Sequence, residues 1–163
     1  MPDDKPPVWD MTLQSPRDGR AFDLPPRPGV LIVEDELLIA INNAGAVDDL
    51  GCDVLGIAAT AADALAIAEQ RRPDLAIVDI TLEGRMDGIE LARLLIARHG
   101  LRVVFASAQG DEPTRRRADL AGAAGFLKKP FHERALQDLI RRLLAPGLPL
   151  CRDAAAPKVA LAV

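Results

Sequence analysis

Between Val30 and about Leu144, short continuous apolar runs alternate with longer stretches whose apolar positions recur at helical spacing. A strand covered on both faces reads as an unbroken run, and a helix covering it as a single stripe, so the alternation predicts βα units stacked on a parallel sheet. The first run, Val30 to Val33, stops at the acidic cluster Glu34-Asp35-Glu36, and a helix to about Leu50 follows, closed by Gly51. Asp53 to Ala58 predicts a second strand, Ala61 to about Arg71 a second helix ended by Pro73, and Leu75 to Val78 a third strand delivering Asp79. A third helix is expected from about Asp87 to His99 with Gly100 as its stop, then a fourth strand over Arg102 to Ala106. Asp111 is a fitting N-cap for a fourth helix from Glu112 to about Ala121, and a short fifth strand runs from about Ala124 to Lys128. Leu136, Leu139, Ile140, Leu143 and Leu144 mark a fifth helix, which Pro146, Gly147 and Pro149 end.

Outside this body the texture changes. Seven of the thirteen prolines lie within the first 28 residues, so 1–28 reads as an extended tail, 29–145 as one α/β domain and 146–163 as a C-terminal tail. The apolar stretch Val159 to Val163 closes that second tail and reads as a frayed terminus. At 163 residues the chain suffices for one domain with its own core.

Composition removes several classes of function. A net charge of -4 gives no electrostatic reason to expect nucleic acid, and the few aromatics (Trp9, Phe22, Phe105, Phe126, Phe131) make poor stacking platforms. Cys52 and Cys151 match no metal or disulfide pattern, and no apolar run approaches the length of a membrane span. A cytoplasmic protein with reduced thiols is expected.

In an open parallel α/β sheet, ligands meet the carboxyl ends of the strands. There the first strand delivers Glu34 and Asp35, the third Asp79, the fourth Ser107, and the fifth Lys128 and Lys129. Three crowded carboxylates repel unless a hard divalent cation sits among them, and an all-oxygen set suits Mg²⁺. A carboxylate beside such a cation is a competent nucleophile toward phosphorus, with Asp79 the best placed. A lysine and a hydroxyl opposite the metal would stabilise the phosphoryl oxygens as they move.

Five segments carrying these residues resemble the receiver domain of two-component response regulators: Val-Leu-Ile-Val-Glu-Asp-Glu at 30–36, Leu-Ala-Ile-Val-Asp at 75–79, Met-Asp-Gly at 86–88, Val-Val-Phe-Ala-Ser-Ala at 103–108 and Gly-Phe-Leu-Lys-Lys-Pro-Phe at 125–131. The resemblance implies a doubly wound, flavodoxin-like five-stranded sheet of order 2-1-3-4-5 with five helices; receivers of this order are a stock example of that fold. It implies that Glu34 and Asp35 hold Mg²⁺ together with Asp79 and the backbone carbonyl of Thr81, and that Asp79 is the phosphoacceptor. It makes Lys129 the family's lysine immediately before proline, Ser107 the switch hydroxyl and Phe126 the switch aromatic, while Thr81 and Gln109 tune dephosphorylation. Glu34 stands where the family more often has Asp and Ser107 where it more often has Thr, and the segment after Asp79 lacks the usual proline and is one residue longer.

The expected function is that of a single-domain response regulator. A sensor histidine kinase would phosphorylate Asp79, and a changed surface would act on a separate output protein, with homodimerisation through the fourth and fifth helices as a further possibility and a phosphate sink as a variant. Arg115-Arg116-Arg117 and Arg141-Arg142 read as exposed helix faces. The alternative from another class is a small Mg²⁺-dependent phosphatase of the haloacid dehalogenase type. That class resembles Asp-x-Asp at the end of its first strand, whereas here the residue two past Asp79 is Thr81 and Asp79 ends the third strand.

Overall fold

The computed structural model describes residues 27–145. Five strands and five helices alternate: β1 (Gly29–Val33), α1 (Leu37–Asp49), β2 (Asp53–Ala58), α2 (Ala61–Arg71), β3 (Leu75–Val78), α3 (Gly88–His99), β4 (Arg102–Ser107), α4 (Glu112–Leu120), β5 (Gly125–Lys128) and α5 (Glu133–Leu144). The strands are all parallel, in the order β2-β1-β3-β4-β5, as expected.

Alternation along the buried strands divides the core into two layers. Leu31, Val33, Ala76, Val78, Val103 and Phe105 point to the side covered by α2 and α3, while Val30, Ile32, Leu75, Ile77 and Val104 point to the side covered by α1 and α5. This is why the runs are continuous in sequence: each face of β1, β3 and β4 has a helix over it.

Element ends follow local chemistry, with small departures from the sequence reading. β1 begins one residue earlier and β4 extends to Ser107. α2 ends through Arg72, which takes a left-handed conformation at φ 50°. The following Pro73 disfavours the helical region at the residue before it, and that residue turns away instead. Arg27 and Pro28, at the end of the segment read as tail, touch the body: Arg27 Nε donates to the Gly51 carbonyl at 2.8 Å and the Pro28 carbonyl accepts from the Asp53 amide at 2.8 Å. The tails at 1–26 and 146–163 lie outside the described residues, as does Cys151; Cys52 is a buried free thiol. No helix among the described residues is long and apolar enough to cross a membrane.

Candidate functional site

Backbone register assembles the site. The Asp79 amide donates to the Val33 carbonyl at 2.9 Å and the Glu34 amide to the Ala58 carbonyl at 2.9 Å, so the exits of β3 and β2 lie on either side of that of β1. On the next strands, the Lys129 amide donates to the Ser107 carbonyl at 2.9 Å, which brings the β5 exit alongside that of β4. The Lys129–Pro130 peptide is cis.

Glu34, Asp35 and Asp79 each offer a carboxylate oxygen within 4.8 Å of the others. Glu34 and Asp79 are buried, and Asp35 is less so. Lys129 Nζ donates to Glu34 Oε2 at 2.6 Å and to Asp79 Oδ2 at 2.7 Å. Burial opposes charge on the Lys129 ammonium, but its bonds to Asp79 and Glu34 outweigh that and raise its pKa. Burial likewise pushes the Glu34 carboxyl upward, against the pull of Lys129.

Three carboxylates and one ammonium leave two negative charges, which one divalent cation balances. The second oxygen of Glu34, Oε1, is buried with no hydrogen-bond partner. A buried carboxylate oxygen without a donor is costly, and a cation supplies the missing positive charge. The donor set is all oxygen, which fits a hard ion. The longer Glu34 side chain therefore still reaches the cluster in place of an Asp.

The loop after β3 is shaped around Asp79. The Thr81 amide donates to Asp79 Oδ1 at 3.0 Å, and the Gly88 amide to the Ile80 carbonyl at 2.9 Å. A Cβ on Gly88 would stand 2.0 Å from the Asp79 carbonyl oxygen, so only glycine lets the start of α3 approach this close. Asp87 caps α3 through the Glu90 amide at 2.8 Å.

Ser107 is fully buried at the end of β4, and its Oγ accepts from the Gln109 amide at 3.3 Å. Gln109 and Thr81 themselves are exposed at the rim. Phe126 is buried beside Phe105, its neighbour across β4 and β5, with ring centroids 6.4 Å apart. Lys128 is solvated, as expected. The arginine run is a different matter. Arg116 and Arg117 are exposed as expected, Arg117 also pairing with Asp87 at 2.6 Å, but Arg115 is half-buried and lies over the Phe126 ring, 5.5 Å from its centroid. Three adjacent arginines carry no periodic signal, so neither contact was legible in the sequence.

A groove of about 710 Å³ opens between α1 and the β5–α5 connection and reaches Lys129, with Ile41, Asn43, Ala46, Pro130 and Phe131 in its walls. Leu37, Leu38 and Ile41 are exposed beside it.

Residues 30–141 match the family model for the response regulator receiver domain. The transcriptional regulatory protein PdtaR of Mycobacterium tuberculosis is 35% identical over 111 residues, covering 68% of this chain and 52% of that protein. The sporulation initiation phosphotransferase F of Bacillus subtilis is 31% identical over 116 residues, covering 71% of this chain and 92% of that protein. The chain spans about half the length of the first of these and of the phyllosphere-induced regulator PhyR of Methylorubrum extorquens. Among solved structures, the signal receiver domain of a modulated diguanylate cyclase from Desulfovibrio desulfuricans superposes with a TM-score of 0.68 at 38% identity, over 73% of this chain and 94% of that one.

Proposed function

Because the chain belongs to the response regulator receiver domain family, we propose that it takes a phosphoryl group on Asp79 from a sensor histidine kinase and signals as a single-domain regulator through a separate output protein. A receiver domain is a phosphoacceptor regulatory domain of two-component signalling rather than a catalytic enzyme, and receiver domains interact with histidine kinases. The observation that carries the proposal is the cluster of Glu34, Asp35 and Asp79 with Lys129 bridging two of its three members.

The chemistry assigned to each residue follows from its place. An Asp79 carboxylate oxygen forms a bond to phosphorus as the bond from phosphorus to the donor's imidazole nitrogen breaks, and the imidazole keeps the electron pair. Mg²⁺, held by Glu34, Asp35, Asp79 and the Thr81 carbonyl, would neutralise the oxygens of donor and acceptor. Lys129 already touches Asp79 and is positioned to follow the phosphoryl oxygens, and the Ser107 hydroxyl would leave the Gln109 amide to donate to one of them. Thr81 and Gln109, both exposed at the rim, would govern access of the water that ends the signal. Phe126 is the aromatic whose packing would report the Ser107 movement. The donor must bring an imidazole to Asp79, and the apolar groove that reaches Lys129 beside Leu37, Leu38 and Ile41 supports docking along α1.

We assign 29–145 as the receiver body, flanked by the two tails, in a cytoplasmic protein that binds no nucleic acid, with α4 and α5 as the face for a homodimer. A phosphate sink or relay is the second form of this reading. It is favoured by the sporulation initiation phosphotransferase, a relative that the match covers nearly end to end. The test is labelling with acetyl phosphate, with and without Mg²⁺, followed by intact mass on the unsubstituted chain and on Asp79→Asn. A Mg²⁺-dependent gain of one phosphoryl group that vanishes in Asp79→Asn is expected; a folded protein that gains none rejects the reading.

A further inference from the structure

Phe126 is enclosed from two directions. On one side Phe105 packs against it at 6.4 Å with the rings tilted by 54°. On the other, the Arg115 guanidinium of α4 lies 5.5 Å from the ring centroid, within the range in which a cation is attracted to an aromatic face. Arg115 Nε is buried and has no hydrogen-bond partner. An arginine N–H taken out of water without an acceptor is unfavourable, so this side chain is held by what it faces, the electron-rich ring. Ser107 stands two residues beyond Phe105 on β4, and Lys128, paired with Ser107, two residues beyond Phe126 on β5. The enclosed ring thus sits two register positions from the hydroxyl, on the same face of the sheet.

We propose that Arg115 is a positioning residue for phosphoryl uptake, which acts through Phe126 by holding its ring in the buried place beside β4. This rests on the reading of Asp79 and Ser107 given above. With the ring inside, no void is left beside β4 when the Ser107 hydroxyl turns toward the phosphoryl group. Without the guanidinium, part of the population has the ring displaced, and uptake slows by the fraction that remains competent.

The experiment compares Arg115→Met, which keeps the apolar stem without the charge, and Arg115→Lys, which keeps a cation, each with Phe126 intact and in a Phe126→Leu background. The rate of Mg²⁺-dependent labelling by acetyl phosphate is read by intact mass. The Phe126 ring resonances are read by NMR in the unphosphorylated chain, which has only four phenylalanines. Expected are ring shifts moving toward free phenylalanine and labelling slowed about fivefold in Arg115→Met, partial rescue by Arg115→Lys, and no effect of either in the Phe126→Leu background. Unchanged ring shifts, unchanged labelling, or equal slowing in both backgrounds overturns the proposal. If the unsubstituted chain itself takes no label, the reading of Asp79 fails and the proposal falls with it; if that chain labels and Arg115→Met labels equally fast, the proposal alone falls.

Discussion

α3 and α4 both begin at the rim of the site, each behind an aspartate N-cap, and they are fixed there by different means. α3 buries Gly88, Ile89, Leu91, Ala92 and Leu95, and its first residue wedges against the Asp79 carbonyl. α4 buries only Thr114 and Ala118, has the sparsest packing of the five helices against its neighbours, and leaves Leu120 exposed. Its ties include two arginine side chains, one to a ring and one to the α3 cap. Apolar burial makes an element part of the cooperative core, whereas a helix held by a few polar contacts sits at the low end of local stability. One flank of the site is therefore anchored by apolar burial and the other by a few polar side-chain contacts.

Substitutions test the contrast between the two helices, and the largest effect belongs to the core of α3. Leu95→Ala should cost about 3 kcal/mol in urea unfolding, since Leu95 is fully buried and leaves a cavity. A loss below about 1 kcal/mol would mean that α3 is no better anchored than α4. Gly88→Ala comes next, at about 2 kcal/mol, because the added methyl meets backbone rather than a movable side chain; Mg²⁺-dependent labelling should fall with it as the Asp79 loop is displaced. The caps follow. Asp87→Ala should cost about 1 kcal/mol through the lost cap and should exceed Asp111→Ala, because Asp87 also holds Arg117.

The same Asp87 carries a dependence on pH. Burial works upward on its carboxyl, but the Glu90 amide and the Arg117 guanidinium outweigh it and hold the pKa below the usual carboxylate range. The native state then binds the proton less readily than the unfolded chain. The contribution of Asp87 is present above the ordinary carboxylate pKa and disappears as pH falls through the lowered one. Stability curves of the unsubstituted chain and Asp87→Asn should therefore converge at acid pH; curves that stay parallel from pH 7 to pH 3 would remove the Asp87 charge as a source of stability. The smallest effect is expected for Arg117→Ala, an exposed pair worth about 0.5 kcal/mol or less globally. Its amide exchange should nevertheless quicken in α4 and not in α3.

Much of this was legible in the sequence. Continuous runs such as Leu75 to Val78, short and set between Pro73 and Asp79, read as strands buried on both faces, and in a parallel sheet the residues that end them meet at one rim. Glu34, Asp35, Asp79 and Lys129 meet there as expected. Less could be read where a contact joins elements through one side chain. Arg115, Arg116 and Arg117 are equivalent as letters, and helix rotation alone decides that one faces a ring, one solvent and one a cap. Gly88 ends the Met-Asp-Gly segment at 86–88, yet its reason, the approach of α3 to the Asp79 carbonyl, exists only in three dimensions.

Element order, the two-faced sheet and the identity of the charged residues at the strand ends follow from the order of residues along the chain, because hydrophobic periodicity and chain connectivity are local. Tertiary structure alone decided that Lys129 bridges Glu34 and Asp79, that one Glu34 oxygen is left without a donor, and that α4 is held by arginines over an otherwise thin interface. Those outcomes depend on distances between elements far apart in sequence, where packing sets the geometry and burial sets the strength of every charge.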